Sequence, residues 1–218
     1  MTDEERLKVL EEKAAELRRL AQENGLDLSS EIAVLEKKIA ELKKALFAEL
    51  SPWERVQLAR RPDRPSGLPF VQALCEAFYE LRGDRVLGDD PALRGGFAKL
   101  CGKTVAILFH HRGGTPEEQR LARFGMASAH GYWKAKRIME VAGRLKLPLV
   151  TLINTPGAYP GVQAESHNIA GAIASCIWQM LRHPAPTVSV ILGEGGSGGA
   201  IALATADRLL MLENATYS

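Results

Sequence analysis

The sequence predicts an α/β protein that begins with an antiparallel helical hairpin, and three observations carry that prediction. Over the first 50 residues apolar side chains recur at gaps of three and four. Further along, apolar runs of strand length alternate with segments of helix length. Two of those runs end in glycine-rich turns. With 218 residues, 46% of them hydrophobic, the chain can bury one substantial core and carry an appendage.

The hairpin comes first. Leu7, Leu10, Ala14, Leu17 and Ala21 form one helical stripe, and Ile32, Leu35, Ile39, Leu42 and Leu46 form a second. Between them lies Asn24-Gly25-Leu26-Asp27, where Gly25 suits the left-handed position that ends a helix. Thr2 and Glu5 have capping-box spacing, which starts the first helix almost at the first residue. Two helices bury little surface alone, so the hairpin is either a brace on its own chain or an arm for a partner, and the pattern leaves both open.

Ser51-Pro52 stops the second helix, and the stretch from Arg60 to Pro69 is proline-rich. The organisation read from this is a hairpin over 1–50, a connector over 51–69 and a core over 70–218. Within the core the pattern predicts a helix over Phe70–Leu81 and strands over Phe97–Cys101 and Thr104–His110, joined by Gly102-Lys103. A helix follows from Gly131 to Lys146, then the buried strand Leu149–Ile153, a helix over Ala164–Leu181 and the strand Val188–Leu192. A helix over Gly199–Ala206 and a short strand over Arg208–Leu212 complete the pattern.

The 28 basic and 26 acidic residues leave a net charge of +2, which gives no compositional case for nucleic acid or an anionic membrane. Cys75, Cys101 and Cys176 lie far apart without a Cys-x-x-Cys pair, so neither a disulfide framework nor a zinc site is expected in this chain. The start Met1-Thr2-Asp3-Glu4-Glu5 lacks signal-peptide character, and no apolar run reaches the roughly 20 residues that span a bilayer. A cytoplasmic protein is expected.

Candidate chemistry sits in the two turns. Thr155-Pro156-Gly157-Ala158-Tyr159-Pro160-Gly161 follows one buried strand; its prolines stiffen the backbone and its glycines admit a close neighbour. Gly193-Glu194-Gly195-Gly196-Ser197-Gly198-Gly199-Ala200 lies between the next buried strand and a helix. Unpaired N–H groups at a helix start, approached closely because glycine has no side chain, make an oxyanion hole. Successive strand ends in an α/β sheet can face one cleft, so the two turns are read together.

Other readings of the second turn fare worse. No Lys-Ser or Lys-Thr follows the glycines as a phosphate-binding loop requires, and the dinucleotide spacing is absent. Gly195-Gly196-Ser197-Gly198-Gly199 matches the Gly-x-Ser-x-Gly elbow of hydrolases, yet His110, His111, His130, His167 and His183 all precede Ser197, the reverse of that family's order. Ser197 therefore reads as a small turn residue. His110 and His111 are adjacent on a strand and point to opposite faces, so they do not share a metal, and at least one is expected at the surface.

The blocks Leu50–Arg60, Gly83-Asp84-Arg85, Gly88-Asp89-Asp90, Phe124-Gly125-Met126, Thr155–Gly161, Gly193–Ala200 and Thr216-Tyr217-Ser218 together resemble, in order and spacing, the carboxyltransferase alpha subunits of bacterial-type acetyl-CoA carboxylase. The resemblance implies a crotonase-like ββα spiral and an α2β2 assembly with a zinc-ribbon carboxyltransferase beta subunit. It further implies transfer of a carboxyl group from carboxybiotin, borne by biotin carboxyl carrier protein, to the coenzyme A thioester acetyl-CoA, giving malonyl-CoA for fatty acid synthesis. Backbone N–H groups of Gly198 and Gly199 would serve the biotin oxygen, and Gly157, Ala158, Tyr159 and Gly161 would line the biotin side, with Gly195 and Gly196 in the same backbone cradle. No metal is implied in this chain.

The sequence departs from the family pattern at Gly113–Gln119, where a basic stretch is usual, at Asn154, where Asp is usual, and at Ser166-His167-Asn168, where Glu-Arg-Gly is common. The family pattern also continues past Ser218, so the core is expected to be incomplete at its C-terminus. A crotonase-like hydratase or isomerase using Glu165 or Glu194, another acyl-CoA carboxylase, and a non-catalytic assembly subunit are the alternatives.

Overall fold

The computed structural model describes residues 3–48, 50–86 and 88–218. The chain divides into two compact units, Met1–Glu54 and Arg55–Ser218.

In the first unit, α1 (Asp3–Asn24) and α2 (Ser29–Ala48) form the hairpin, with Gly25 at φ +64° ending α1. The two apolar stripes face one another: Ala14 is buried and Leu7, Leu10, Leu17, Ile32, Leu35, Ile39 and Leu46 are half-buried. Arg18 pairs with Glu36 at 2.5 Å and Lys43 with Glu11 at 2.6 Å across the helices. The Thr2 capping box lies outside the described residues.

Ser51 opens a further helix, α3 (Pro52–Arg60). Its N–H and Oγ both donate to the Glu54 carboxylate at 2.8 and 2.6 Å, and its Oγ accepts the Glu54 N–H at 3.3 Å. Proline at the first helical position suits a helix start, so the first half of the expected connector is helical.

The second unit is built on one sheet, with strand order β1 (Cys75–Glu80), β2 (Leu93–Leu100), β3 (Lys103–His110), β4 (Leu149–Thr155), β5 (Thr187–Gly195) and β6 (Arg208–Met211); β7 (Thr216–Tyr217) also pairs with β5. β1, β2 and β3 are antiparallel, whereas β3 to β6 run parallel. Helix α4 (Gly67–Leu74) precedes β1 and the short α5 (Pro116–Leu121) follows β3; the crossovers are α6 (Ala129–Arg144) before β4, α8 (Ile169–Leu181) before β5 and α9 (Ser197–Ala204) before β6.

Alternation along the central strands supplies both faces of the sheet. On β3, Ala106 and Leu108 join a core with Ile138 and Met139 of α6 and Ala172 of α8, while Val105, Ile107 and Phe109 pack with Val71 of α4 (Gly67–Leu74) and Leu152. Parallel pairing leaves the C-terminal ends of β4 and β5 side by side.

Three expectations need correction. The helix predicted over Phe70–Leu81 ends at Leu74, and the next six residues form β1. A register irregularity between Cys75 and Ala77 puts Cys75 and Phe78, three apart, against the same core, so a bulged strand imitates helical spacing. The hairpin turn is Cys101-Gly102, both at positive φ (49° and 73°), one residue earlier than expected. The helix expected over Ala164–Leu181 is broken into α7 (Val162–Ser166) and α8, with Asn168 in the left-handed region at φ 57° capping α8 through Oδ1 to the Gly171 N–H at 3.1 Å.

Candidate active site

Because β4 and β5 are parallel neighbours, their two glycine turns emerge at one edge of the sheet and touch. The Gly196 N–H donates to the Thr155 carbonyl at 2.9 Å, and a side chain at Gly196 would lie 2.1 Å from the Pro156 oxygen. A Cβ at Gly199 would stand 2.5 Å from Ala158 N, 2.6 Å from Gly157 C and 2.7 Å from Tyr132 Oη. Backbone of the first turn thus fills the space that side chains at Gly196 and Gly199 would need.

The first turn is held by Thr155, whose Oγ1 donates to the Gly157 carbonyl at 2.7 Å and accepts the Gly157 N–H at 3.1 Å. Gly157 sits at φ +155°, a conformation glycine adopts freely. The Tyr159 N–H donates to the Ala127 carbonyl at 2.9 Å. Its ring rests on Gly161, where a Cβ would be 2.3 Å from Tyr159 Cε1, and the Arg123 guanidinium lies 5.2 Å from the ring centroid. That ring lines a small pocket of about 100 Å³ with Asp89, Ser128, His130, Gln163 and His167.

In the second turn Ser197 is at φ 54° and gives its N–H to the Ser218 carbonyl at 2.8 Å, consistent with a turn residue. Gly195 packs under Tyr217 of β7, whose Cδ2 would be 3.0 Å from an added Cβ. Among the described residues no backbone acceptor pairs with the N–H groups of Ala158, Gly198 or Gly199. Two of these three begin α9, where the aligned peptide dipoles favour negative charge. Gly157, Gly196 and Gly199 are buried, and Ala158 and Gly198 are half-buried at the rim.

Charged neighbours tie the turns to the rest of the unit. Buried Glu194 accepts both Nε and Nη2 of Arg60 at 2.8 Å, and its N–H donates to Asn154 Oδ1 at 3.2 Å. Asn154 is itself fully buried and packed against Gly193, so an amide at this position serves backbone geometry at the end of β4. Arg64 donates to the Leu192 carbonyl at 2.8 Å, and burial, reinforced by Arg112, lowers its proton affinity.

Of the carboxylates considered for acid–base work, Glu194 is engaged by Arg60 and Glu165 is exposed on α7. His110 is wholly buried with both ring nitrogens unpaired, and burial pushes its pKa down to about 3. His111 is half-buried, so neither is an ordinary surface residue. Among the described residues no group of three His, Cys, Asp or Glu side chains is placed to hold a metal ion, and no helix is long and apolar enough to cross a membrane.

Sequence reasoning missed Tyr132 and Arg60. Tyr132 falls on the apolar stripe of α6 with Ala129, Ala135, Ile138 and Met139 and reads as core from the sequence. Arg60 lies in the connector, and nothing in its neighbours announces a partner 134 positions away.

Antiparallel strands leading into a parallel sheet, with two backbone-lined turns crossing at its C-terminal edge, place the unit in the crotonase-like class of folds. Solved structures agree at the level of fold: transcarboxylase 12S (20% identity, TM-score 0.59, covering 69% of this chain and 28% of that one) and the malonate decarboxylase heterodimer of Pseudomonas (24%, 0.53, 66% and 59%).

The family model described as acetyl co-enzyme A carboxylase carboxyltransferase-like matches residues 1–218, and the chain belongs to that family. Relatives named acetyl-coenzyme A carboxylase carboxyl transferase subunit alpha are similar throughout. That of Heliobacterium modesticaldum is 50% identical over 96% of this chain and 62% of its own length; that of one Thermus thermophilus strain is 48% identical over 94% and 65%. The Fusobacterium nucleatum relative is 44% identical over the whole chain and 70% of its own length. The chain thus spans about two thirds of the length of these relatives.

Proposed function

We propose that this chain provides the carboxybiotin side of an acetyl-CoA carboxylase carboxyltransferase, as a cytoplasmic alpha subunit active with a zinc-ribbon beta subunit in an α2β2 assembly. The observation that carries the reading is the crossing of the two glycine turns, which leaves the N–H groups of Gly198 and Gly199 at the start of α9 without a backbone acceptor among the described residues and Gly199 with no room for a side chain.

The cradle fits a flat, uncharged ring system whose oxygen gains negative charge during reaction. Its donors are backbone amides held by the fold, so they need no reorganisation as charge develops, and losing one such donor typically costs about 3 kcal/mol or more. Gly157, Ala158, Tyr159 and Gly161 form the wall beside those amides, while Gly195 and Gly196 carry the backbone close enough to be a surface. Biotin on its carrier protein, as substrate, supplies both the carboxyl group and the base that activates the acyl methyl. That division of labour suits a site in which the carboxylate of the second turn, Glu194, is already committed to Arg60. The residues of this chain orient the donor and hold its oxygen, and the beta subunit holds the acetyl-CoA or malonyl-CoA thioester.

The test is malonyl-CoA-dependent carboxylation of free biotin by this chain mixed with its beta partner, set against each component alone. Activity confined to the mixture and lost in Gly199→Val is the expected result. Hydration of an enoyl-CoA by this chain alone, or a stable complex with no transfer, would overturn it.

A further inference from the structure

Tyr132 projects from α6 to the point where the two turns meet. It is wholly buried, yet its phenol oxygen has no hydrogen-bond partner among the described residues. A Cβ built on Gly199 would stand 2.7 Å from that oxygen, 2.5 Å from Ala158 N and 2.6 Å from Gly157 C, so the hydroxyl abuts both walls of the cradle at once.

An unpaired buried hydroxyl lowers stability, because the group gives up its hydrogen bonds to water and receives none in return. Phenylalanine would fill the same ring-shaped space without that loss. Folding alone therefore favours Phe at position 132, and the hydroxyl calls for a partner that arrives later. The neighbouring Ala158 and Gly199 N–H groups also lack a backbone acceptor among the described residues, Gly199 being buried and Ala158 half-buried. A wholly buried, unpaired hydroxyl beside two N–H groups that lack backbone acceptors is better explained by a loaded state than by a defect in the core. Burial also keeps the phenol protonated well above the usual tyrosine range, so it acts as a neutral hydrogen-bonding group and not as a base.

We propose that Tyr132 is a positioning residue of the carboxyl-transfer site, whose hydroxyl braces the meeting point of the Gly157–Gly161 turn and the start of α9 and becomes hydrogen-bonded only in the biotin-loaded site. The inference rests on the carboxyltransferase reading above. It assigns the hydroxyl a state-dependent role: unpaired in the free protein, paired in the complex.

The test is Y132F, studied by thermal unfolding without ligand, by titration with free biotin, and by biotin carboxylation with the beta partner. The free variant should melt at the same temperature as the parent or higher. Its affinity for biotin should fall about ten-fold, the value of one good hydrogen bond, and the biotin-induced rise in Tm should shrink with it. In turnover, kcat should fall while the KM for malonyl-CoA stays at the parent's value, a split that a purely structural role would not give. A free Y132F that melts lower or fails to fold would show that the hydroxyl already has a partner, and would overturn the inference. Unchanged biotin affinity and kcat would overturn it as well. If the parent chain with its beta partner carboxylates no biotin, the carboxyltransferase reading itself has failed; an active parent with an equally active Y132F condemns only the role of Tyr132.

Discussion

Adding one methyl group at Gly199 and, separately, at Gly198 asks whether the cradle depends on glycine for space or only for its N–H. A Cβ at 199 would lie 2.5 Å from Ala158 N and 2.6 Å from Gly157 C, both backbone atoms with no rotamer to turn aside. Ordinary contact begins near 3.4 Å, so the first turn must retreat by about 0.9 Å. Overpacking of this kind costs about 1–3 kcal/mol, which for a chain of this size lowers Tm by roughly 3–10 °C. A displacement of about an ångström in a positioned site costs on the order of 100-fold in rate. At Gly198 the same methyl would meet Ile173 Cδ1 at 3.6 Å and Cγ2 at 3.8 Å, which is normal packing, and alanine is the better helix former. Gly199→Ala is therefore expected to lose both stability and biotin carboxylation, whereas Gly198→Ala keeps its N–H, melts no lower than the parent and stays active. The measurements are Tm by circular dichroism and malonyl-CoA-dependent carboxylation with the beta partner. Equal behaviour of the two variants in either assay would refute the claim that the turns are fitted backbone to backbone at Gly199.

Acid should expose the buried histidine. His110 is neutral in the folded chain with its pKa near 3, against 6.5 unfolded, so between those values the unfolded state binds the extra proton and stability falls as pH is lowered, by up to about 1.4 kcal/mol per pH unit. Urea midpoints taken from pH 6.5 to pH 5 should drop for the parent and fall less steeply for His110→Leu; parallel curves would show that another group governs this window. Glu194→Gln removes an ion pair whose arginine is about half exposed, so a loss of only about 1 kcal/mol is expected, with carboxylation near the parent's rate. A folded E194Q whose activity has vanished would instead point to a carboxylate acting on the acyl chain. Removing the hairpin by truncation to 50–218 should leave a folded unit, because the sheet and both its core clusters lie beyond Arg55. A folded truncation that no longer assembles with the beta subunit would identify the hairpin as a partner arm, and one that fails to fold would identify it as a brace.

What the sequence revealed followed from how local each signal is. The runs 149–153 and 188–192 are buried on both sides of the sheet, so they are apolar almost throughout and announce themselves, and the glycine turns that end them are equally local. β1 failed as a sequence reading for the opposite reason. It is an edge-side strand with a bulge, fixed by pairing with β2 and not by its own alternation, and the bulge sets Cys75 and Phe78 at a helix-like interval. Tyr132 was invisible for a third reason: a buried phenol and a buried phenyl are identical to a periodicity argument, and only the position of the oxygen beside Gly199 separates them. The same logic bears on Asn154. In the sequence it reads as a lost charge where the family has Asp, but in the structure its Oδ1 accepts the Glu194 N–H, a bond an aspartate oxygen would also accept. The Asn154 Nδ2 also donates to the Pro65 carbonyl at 3.4 Å, a contact that an ionised aspartate would turn into repulsion between two oxygens. Here the amide keeps the backbone contact at the end of β4 without that repulsion, and the departure is compatible with the two turns keeping their register.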